Sequence, residues 1–362
     1  MKRAYNFNAG PSALPEEVLR IAQEELLNFN ETGMSVMELS HRSKDFENVH
    51  NEAQSLLRQI LNIPDTYEIL FLQGGASLQF SMIPMNFLSD GQIGNYVLTG
   101  AWSEKALKEA NILGHTTAIA ASTKETNYDR IPELSELRLS PEDAYLHITS
   151  NNTIFGTQWK DYPTVKDHLL IADMSSDILS KPLPIDKFAM IYAGAQKNLG
   201  PSGVTIVILR KDLLEKTTEK QIPTVLRYGI HSKNNSLYNT PPTFSIYMLN
   251  KVLHWVNDQG GIAEIAKANE RKASLIYDVI DNSNGFYQGH AQKESRSLMN
   301  ITFNLANEEL NKKFLLEAKE AGFVGLNGHR SIGGCRASTY NAVPYETCKA
   351  LQQFMLKFKG NL

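Results

Sequence analysis

Between about residues 15 and 255 the chain keeps returning to one pattern: a short apolar run, a turn of small or polar residues, then a segment with helical spacing. The runs are Tyr67–Leu72, Tyr96–Leu98, Thr116–Ala121, Ala144–Ile148, Leu169–Ala172, Phe188–Ala193 and Val204–Leu209. Uninterrupted apolar runs of strand length suit strands buried on both faces, as in a mostly parallel sheet covered by helices. Predicted helices follow at Ala76–Leu88 and from Gly100 through Leu113. The expected fold class is α/β, with a three-layer α/β/α large domain. After about residue 255 the texture changes. Helical patterns at Ile262–Asn282, Glu308–Ala321 and Tyr345–Phe358 accompany one predicted strand, Leu298–Leu305. This reads as a smaller α+β domain, with the Gly260-Gly261 step near the boundary. The expected division is residues 16–258 for the large domain, and residues 1–15 with 259–362 for the small one.

Composition narrows the function classes. Apolar residues make up 42% and charged residues 21% of 362, which excludes a disordered chain and allows a sizeable core. A net charge of −3 gives no general attraction to nucleic acid or an anionic membrane, so any anion site must be a local basic cluster. Cys335 and Cys348 are the two cysteines, too few for a disulfide framework or a four-thiolate metal site. Met1-Lys2-Arg3 is charged like a signal peptide, but no apolar region follows it. No run approaches the ~18 apolar residues of a membrane span. The expectation is a cytoplasmic protein with reduced thiols, no metal, and no membrane or nucleic-acid partner.

The chemistry gathers at the predicted strand ends, where α/β folds place their ligands. Lys197 stands in Ala195-Gln196-Lys197-Asn198-Leu199-Gly200-Pro201, after a strand and among small residues. Partial desolvation there lowers an amine's pKa and makes it nucleophilic, although a loop-start lysine can also be merely solvated. Asp173 closes Leu169-Leu170-Ile171-Ala172-Asp173. Opposite a lysine, such an acid can pair with the protonated ring nitrogen of pyridoxal phosphate (PLP); the bland alternative is a helix cap. Gln73-Gly74-Gly75-Ala76-Ser77 turns a strand into a helix and offers backbone N–H groups to a phosphate. Its glycines lack dinucleotide or P-loop spacing. Trp102 could stack on a planar ring, and Asn151-Asn152-Thr153 brings a hydroxyl. Each feature alone has a structural explanation. Jointly, a phosphate cup, an aromatic, a hydroxyl, an acid and a lysine meet the needs of one PLP molecule.

With these residues in place, the chain resembles the fold-type I, class V PLP-dependent aminotransferases, and more narrowly the phosphoserine aminotransferase family. The likeness runs from Phe7-Asn8-Ala9-Gly10-Pro11 to Gly334-Cys335-Arg336-Ala337-Ser338. Its specific parts are Ser40-His41-Arg42-Ser43, Gln73-Gly74-Gly75-Ala76, Ala195-Gln196-Lys197-Asn198, Tyr238-Asn239-Thr240-Pro241-Pro242 and Gly328-His329-Arg330-Ser331-Ile332-Gly333-Gly334. The resemblance implies that Lys197 bonds to the cofactor and shuttles the proton. Asp173 would hold the ring nitrogen, Trp102 would stack, and Thr153 would bond near the phenolic oxygen. Gly75, Ala76, Ser77 and Gln196 would sit at the cofactor phosphate, joined by Asn239 and Thr240 from a second subunit. His41, Arg42, His329, Arg330 and Arg336 would bind the substrate's two anionic ends. The implied assembly is a homodimer with shared active sites.

Some members carry Arg where this chain has Ser77. Here the substrate phosphate would rely on the other cations. Those cations support the substrate class on their own: one arginine serves an ordinary keto-acid carboxylate, and a phosphorylated keto acid presents a second anion. The implied reaction interconverts 3-phosphohydroxypyruvate plus L-glutamate and O-phospho-L-serine plus 2-oxoglutarate, in serine biosynthesis. Whether the related keto acid of pyridoxine synthesis is also a substrate stays open. The alternatives are another class V enzyme, such as a different aminotransferase, or a cysteine desulfurase. The last would use Cys335, whose thiolate Arg336 could stabilise.

Overall fold

Seven strands form the main sheet of the computed structural model, which describes residues 3–165, 168–218 and 221–361. They are β1 (Tyr67–Leu72), β2 (Ile93–Leu98), β3 (Thr117–Ser122), β4 (Asp143–Thr149), β5 (Leu169–Asp173), β6 (Met190–Gly194) and β7 (Thr205–Arg210). Across the sheet the order is β1-β7-β6-β5-β4-β2-β3. Only β7 runs antiparallel to its neighbours; the other pairs are parallel. The cause is local: residues 195–204 join β6 to β7, too short a stretch for the helical crossover that a parallel neighbour needs.

Each apolar run of the sequence became one of these strands. Tyr96–Leu98 understated its strand, which starts at Ile93. The polar Asn95 masked it, and that side chain is buried with its amide donating to Asp143 Oδ2 (2.9 Å) and to the Arg138 carbonyl (3.0 Å).

Both sheet faces are covered, as the uninterrupted apolar runs require, except at the edge strand β3, where Ile119 is exposed. On one face Ile69, Phe71, Ile148, Ile191 and Ile208 pack with α1 (Glu16–Glu25), α2 (Lys44–Leu61) and residues 246–256. On the other, Leu70, Leu72, Tyr192, Val207 and Leu209 pack with α3 (Gly75–Phe87) and α4 (Ala101–Ile112). Helix α2 shows why such segments are helical. Ser43 caps its start by accepting from the Phe46 N–H, and Asn62 ends it in a left-handed turn at φ 51. Phe46, Val49, His50, Ala53, Leu57 and Ile60 recur at helical spacing and are buried. The Thr243–Asp258 helix, α5, packs against α2.

A third core lies apart from this sheet. It joins α6 (Ile262–Asp281), α7 (Glu308–Glu320) and α8 (Tyr345–Gly360) to the antiparallel strands β8 (Tyr287–Gly289), β9 (Asn300–Leu305) and β10 (Cys335–Ser338). Phe7 and Ala13 belong to this core. Next to them Tyr5–Asn6 pairs in parallel with Phe323–Val324.

Register levels the rim where the site forms. Thr149 pairs with Asp173, Asp173 with Tyr192, and Gly194 with Thr205. The carboxyl ends of β4, β5 and β6 therefore open at one height.

Candidate active site

A cavity of about 330 Å³ sits at that rim. Ten of the sequence-selected residues line it: Gly75, Ala76, Ser77, Trp102, Thr153, Asp173, Gln196, Lys197, His329 and Arg336. A larger cavity of about 840 Å³ lies near Arg3, Trp255 and Arg271 and holds none of the strand-end residues. Chemistry, not size, singles out the smaller one.

Lys197 follows β6 by three residues and is pinned from outside the sheet. The Ser12 hydroxyl donates to the Lys197 carbonyl (2.8 Å), and the Ser12 N–H donates to the Gln196 carbonyl (2.9 Å). Gly10 passes so close that a Cβ there would lie 3.4 Å from Lys197 Cε. Burial pushes the Lys197 amine down to about 8; Arg336 pushes the same way, while Asp173 and Asp177 oppose it.

Asp173 is buried, and burial raises its carboxyl above the usual range. Hydrogen bonds from Ser175 and the charge of Lys197 pull it back. Both Ser175 bonds reach Oδ1, from the hydroxyl at 2.6 Å and from the backbone N–H at 2.9 Å. No described residue bonds to Oδ2.

The glycine turn is built for an anion. Gly74 and Gly75 have φ of +84° and +63°, which glycine adopts without strain. They deliver the chain into α3, whose N-terminus has no side-chain cap. A Cβ at Gly75 would meet nothing within 4 Å, so that edge is open space. The unspent N–H groups and the helix dipole face this end.

Trp102 is the second residue of α4, and its Nε1 donates to Thr153 Oγ1 (3.2 Å). The Lys105 ammonium stands 4.2 Å from the indole centroid. Arg336, on β10, donates to the Thr153 carbonyl (2.8 Å). Its Nε is buried without a partner among the described residues, so a donor is left over for a ligand. His329 shares a hydrogen bond with Ser331 Oγ (2.7 Å). Desolvation lowers its ring pKa, and the cations Arg336, Arg330 and Lys105 lower it further. That mouth of the cavity is electropositive.

Five selected residues lie outside the cavity within this chain. Arg330 is exposed on the 328–334 turn. His41 and Arg42 precede α2, with Arg42 exposed. Asn239 and Thr240 are also exposed, beside the glycine turn: Gln73 Nε2 donates to the Thr240 carbonyl (3.1 Å).

Sequence reasoning missed several lining residues, among them Thr149, Ile154 and Ser175. Ending the predicted strands at Ile148 and Ala172 left Thr149 and Ser175 unassigned. Thr149 Oγ1 is buried and unpartnered among the described residues.

The desulfurase alternative finds no support at Cys335. Cys335 pairs with Phe303 inside the third core, and burial pushes its thiol up to about 12. Strand alternation separates it from Arg336, so no thiolate is stabilised and a desulfurase nucleophile is absent there.

The cavity's donor set fits PLP. An uncapped helix start suits its phosphate, a buried carboxylate its ring nitrogen, an indole its ring face, and a desolvated amine its aldehyde. The unpartnered Thr149 hydroxyl and Arg336 Nε leave polar groups for a ligand to satisfy.

The comparisons agree. The "Aminotransferase class-V" family model matches residues 4–351. A phosphoserine aminotransferase of Alkalihalobacillus alcalophilus is 67% identical over 361 residues, covering 100% of this chain and 99% of that protein. A solved phosphoserine aminotransferase, studied for radiation damage of its Schiff base, is 66% identical with a TM-score of 0.98, covering 100% of both chains. The PLP-bound phosphoserine aminotransferase of Trichomonas vaginalis is 40% identical with a TM-score of 0.93, over 98% of this chain and 100% of that one. The chain belongs to the class V aminotransferases, within the phosphoserine aminotransferase family, and pyridoxal phosphate is its cofactor.

Proposed function

We infer that this protein interconverts 3-phosphohydroxypyruvate plus L-glutamate and O-phospho-L-serine plus 2-oxoglutarate, in two half-reactions at one site. The carrying observation is the 330 Å³ cavity in which Lys197, Asp173 and an uncapped helix start meet the arginine Arg336. Bound there, PLP supplies an aldehyde that receives the amino group and a ring that acts as electron sink.

This chain's residues do the rest. Lys197 Nζ takes the proton from the substrate Cα and returns it on the other side of the transfer. Burial lowers its pKa to about 8, so far more of the amine is neutral near physiological pH than for an exposed lysine, as that task needs. Asp173 holds a proton on the ring nitrogen. Trp102 would stack on the cofactor ring and hold it in place. Gly75, Ala76, Ser77 and Gln196 cradle the cofactor phosphate, and Thr153 reaches the phenolic oxygen. Arg336 takes the substrate carboxylate, for which its spare donor is suited. His329 and Arg330 form the cationic mouth for the substrate phosphate.

His41, Arg42, Asn239 and Thr240 act in the site of a second copy. Their place outside this chain's cavity and their largely exposed setting support that reading, as do exposed Leu27, Met37 and Tyr238 on neighbouring stretches of sequence. We place the homodimer in the cytoplasm; no helix among the described residues is long and apolar enough to cross a membrane.

The test is release of 2-oxoglutarate from glutamate, dependent on 3-phosphohydroxypyruvate. Sulfide release from cysteine at a comparable rate would overturn the reading.

The shared site has its own test. Lys197→Ala and Arg42→Ala proteins are each expected to be inactive. Mixed and allowed to exchange subunits, they regain activity, because each heterodimer holds one site with both Lys197 and Arg42. If Arg42 serves its own chain, mixing restores nothing.

A further inference from the structure

We propose that Ser175 is a positioning residue, whose side chain fixes the Asp173 carboxylate against the end of the strand that leads into Lys197. The hydroxyl makes two bonds with opposite roles. It donates its one proton to Asp173 Oδ1 at 2.6 Å, and it accepts the Gly194 N–H at 3.1 Å. The backbone N–H of Ser175 adds a second donor to the same oxygen, at 2.9 Å. Oδ1 is thereby occupied, and the carboxylate has one orientation in which Oδ2 stays free for the cavity.

Gly194 is the last residue of β6, three before Lys197. The direct β5–β6 pairing ends at Asp173 opposite Tyr192. Beyond that point the Met174 N–H still donates to the Tyr192 carbonyl (2.9 Å), and the next link between the two segments is the Ser175 side chain. One hydroxyl therefore links the acid directly to the segment that leads to the lysine, adding to the backbone bonds on either side of it. Ser175 is itself buried and lines the cavity, so water does not compete freely for these bonds. A bond from a hydroxyl to an ionised carboxylate is the stronger kind.

The charged and titratable groups facing Asp173 are Lys197, Asp177 and Tyr192. Of these Lys197 favours the ionised form, while Asp177 and the burial oppose it. The Ser175 hydrogen bonds pull toward the carboxylate against the burial, which still leaves the carboxyl above its usual range. Without its hydroxyl, Asp173 takes up a proton at higher pH, and the partner of the ring nitrogen is lost from the acid side first.

This rests on Asp173 serving the cofactor ring, as read above. The experiment compares Ser175→Ala, Ser175→Thr and Asp173→Asn. Apo-protein is titrated with PLP by tryptophan fluorescence, and kcat, KM and the kcat/KM profile against pH are measured. For Ser175→Ala, PLP binding and kcat each fall about tenfold, the size of one charge-assisted hydrogen bond. KM for glutamate changes little, and the acid limb of the profile moves toward neutral pH. Ser175→Thr, which keeps a hydroxyl, restores most of each. An unmoved acid limb with normal PLP binding in Ser175→Ala overturns the proposal, as does equal loss in the Ala and Thr variants. Normal turnover in Asp173→Asn would instead overturn the reading of Asp173. An impaired Asp173→Asn beside a normal Ser175→Ala sinks only the role of Ser175.

Discussion

Lys197→Ala protein stops turning over while its cavity still accepts PLP. The cradle at Gly75–Ser77, the Asp173 carboxylate and the Trp102 ring are untouched by the change, so binding persists. Among the described residues no other lysine lines the cavity. Loss of a positioned proton carrier costs on the order of 10²–10⁴-fold by itself, and loss of the bond that holds the cofactor adds to it. Single-turnover kinetics with glutamate and the visible spectrum of the bound cofactor measure both parts. The lysine can also be identified directly. In apo-protein treated with formaldehyde and borohydride, labelling of Lys197 should rise with pH to a midpoint of about 8, because burial favours the neutral amine. A midpoint typical of an exposed lysine, or turnover that survives Lys197→Ala, would contradict the assignment.

Asp173→Asn keeps shape and removes charge. Its amide oxygen can still accept from Ser175, so the β5 end stays folded, and what is lost is the anion. One charge-assisted hydrogen bond is worth roughly 1.5–3 kcal/mol, which corresponds to about tenfold to a hundredfold in the proton-transfer step. PLP is held more weakly as well. A substrate deuterated at Cα should show a larger isotope effect in the variant, since that step becomes more limiting. An unchanged rate would place the functional acid elsewhere.

The strands were legible because burial on both faces leaves unbroken apolar runs, as in Leu169–Asp173 and Met190–Gly194. The site was legible for a related reason: parallel strands end at one rim, so each residue after a run is a candidate. Lys197, Asp173, Trp102 and Gly75 were found that way. What could not be read was tertiary. Gly10 matters through its contact with Lys197, and no local pattern signals a contact across 187 positions of sequence. Ser175 looked like one more turn serine, since its value lies in a bond to Gly194 of another strand. The antiparallel direction of β7 depends on a loop length whose meaning appears only once its neighbours are known. Cys335, weighed only as an alternative nucleophile beside Arg336, lies on the opposite face of its strand.

The backing of Lys197 has a consequence for how the protein is made. Ser12 and Gly10 hold the lysine's segment, yet nearby residues take their own support from far along the chain. Phe7 packs with residues 273–358, and Tyr340 Oη donates to the Ala9 carbonyl (2.8 Å), a separation of 331 positions. A ribosome delivers Lys197 long before it delivers Tyr340. Closing so long a loop carries a large entropy cost and is slow compared with local folding. A nascent chain can therefore assemble the main sheet while residues 5–13 still lack their seat. The cofactor pocket gains its last wall only when synthesis has passed Tyr340, so incomplete chains should be poor at capturing PLP.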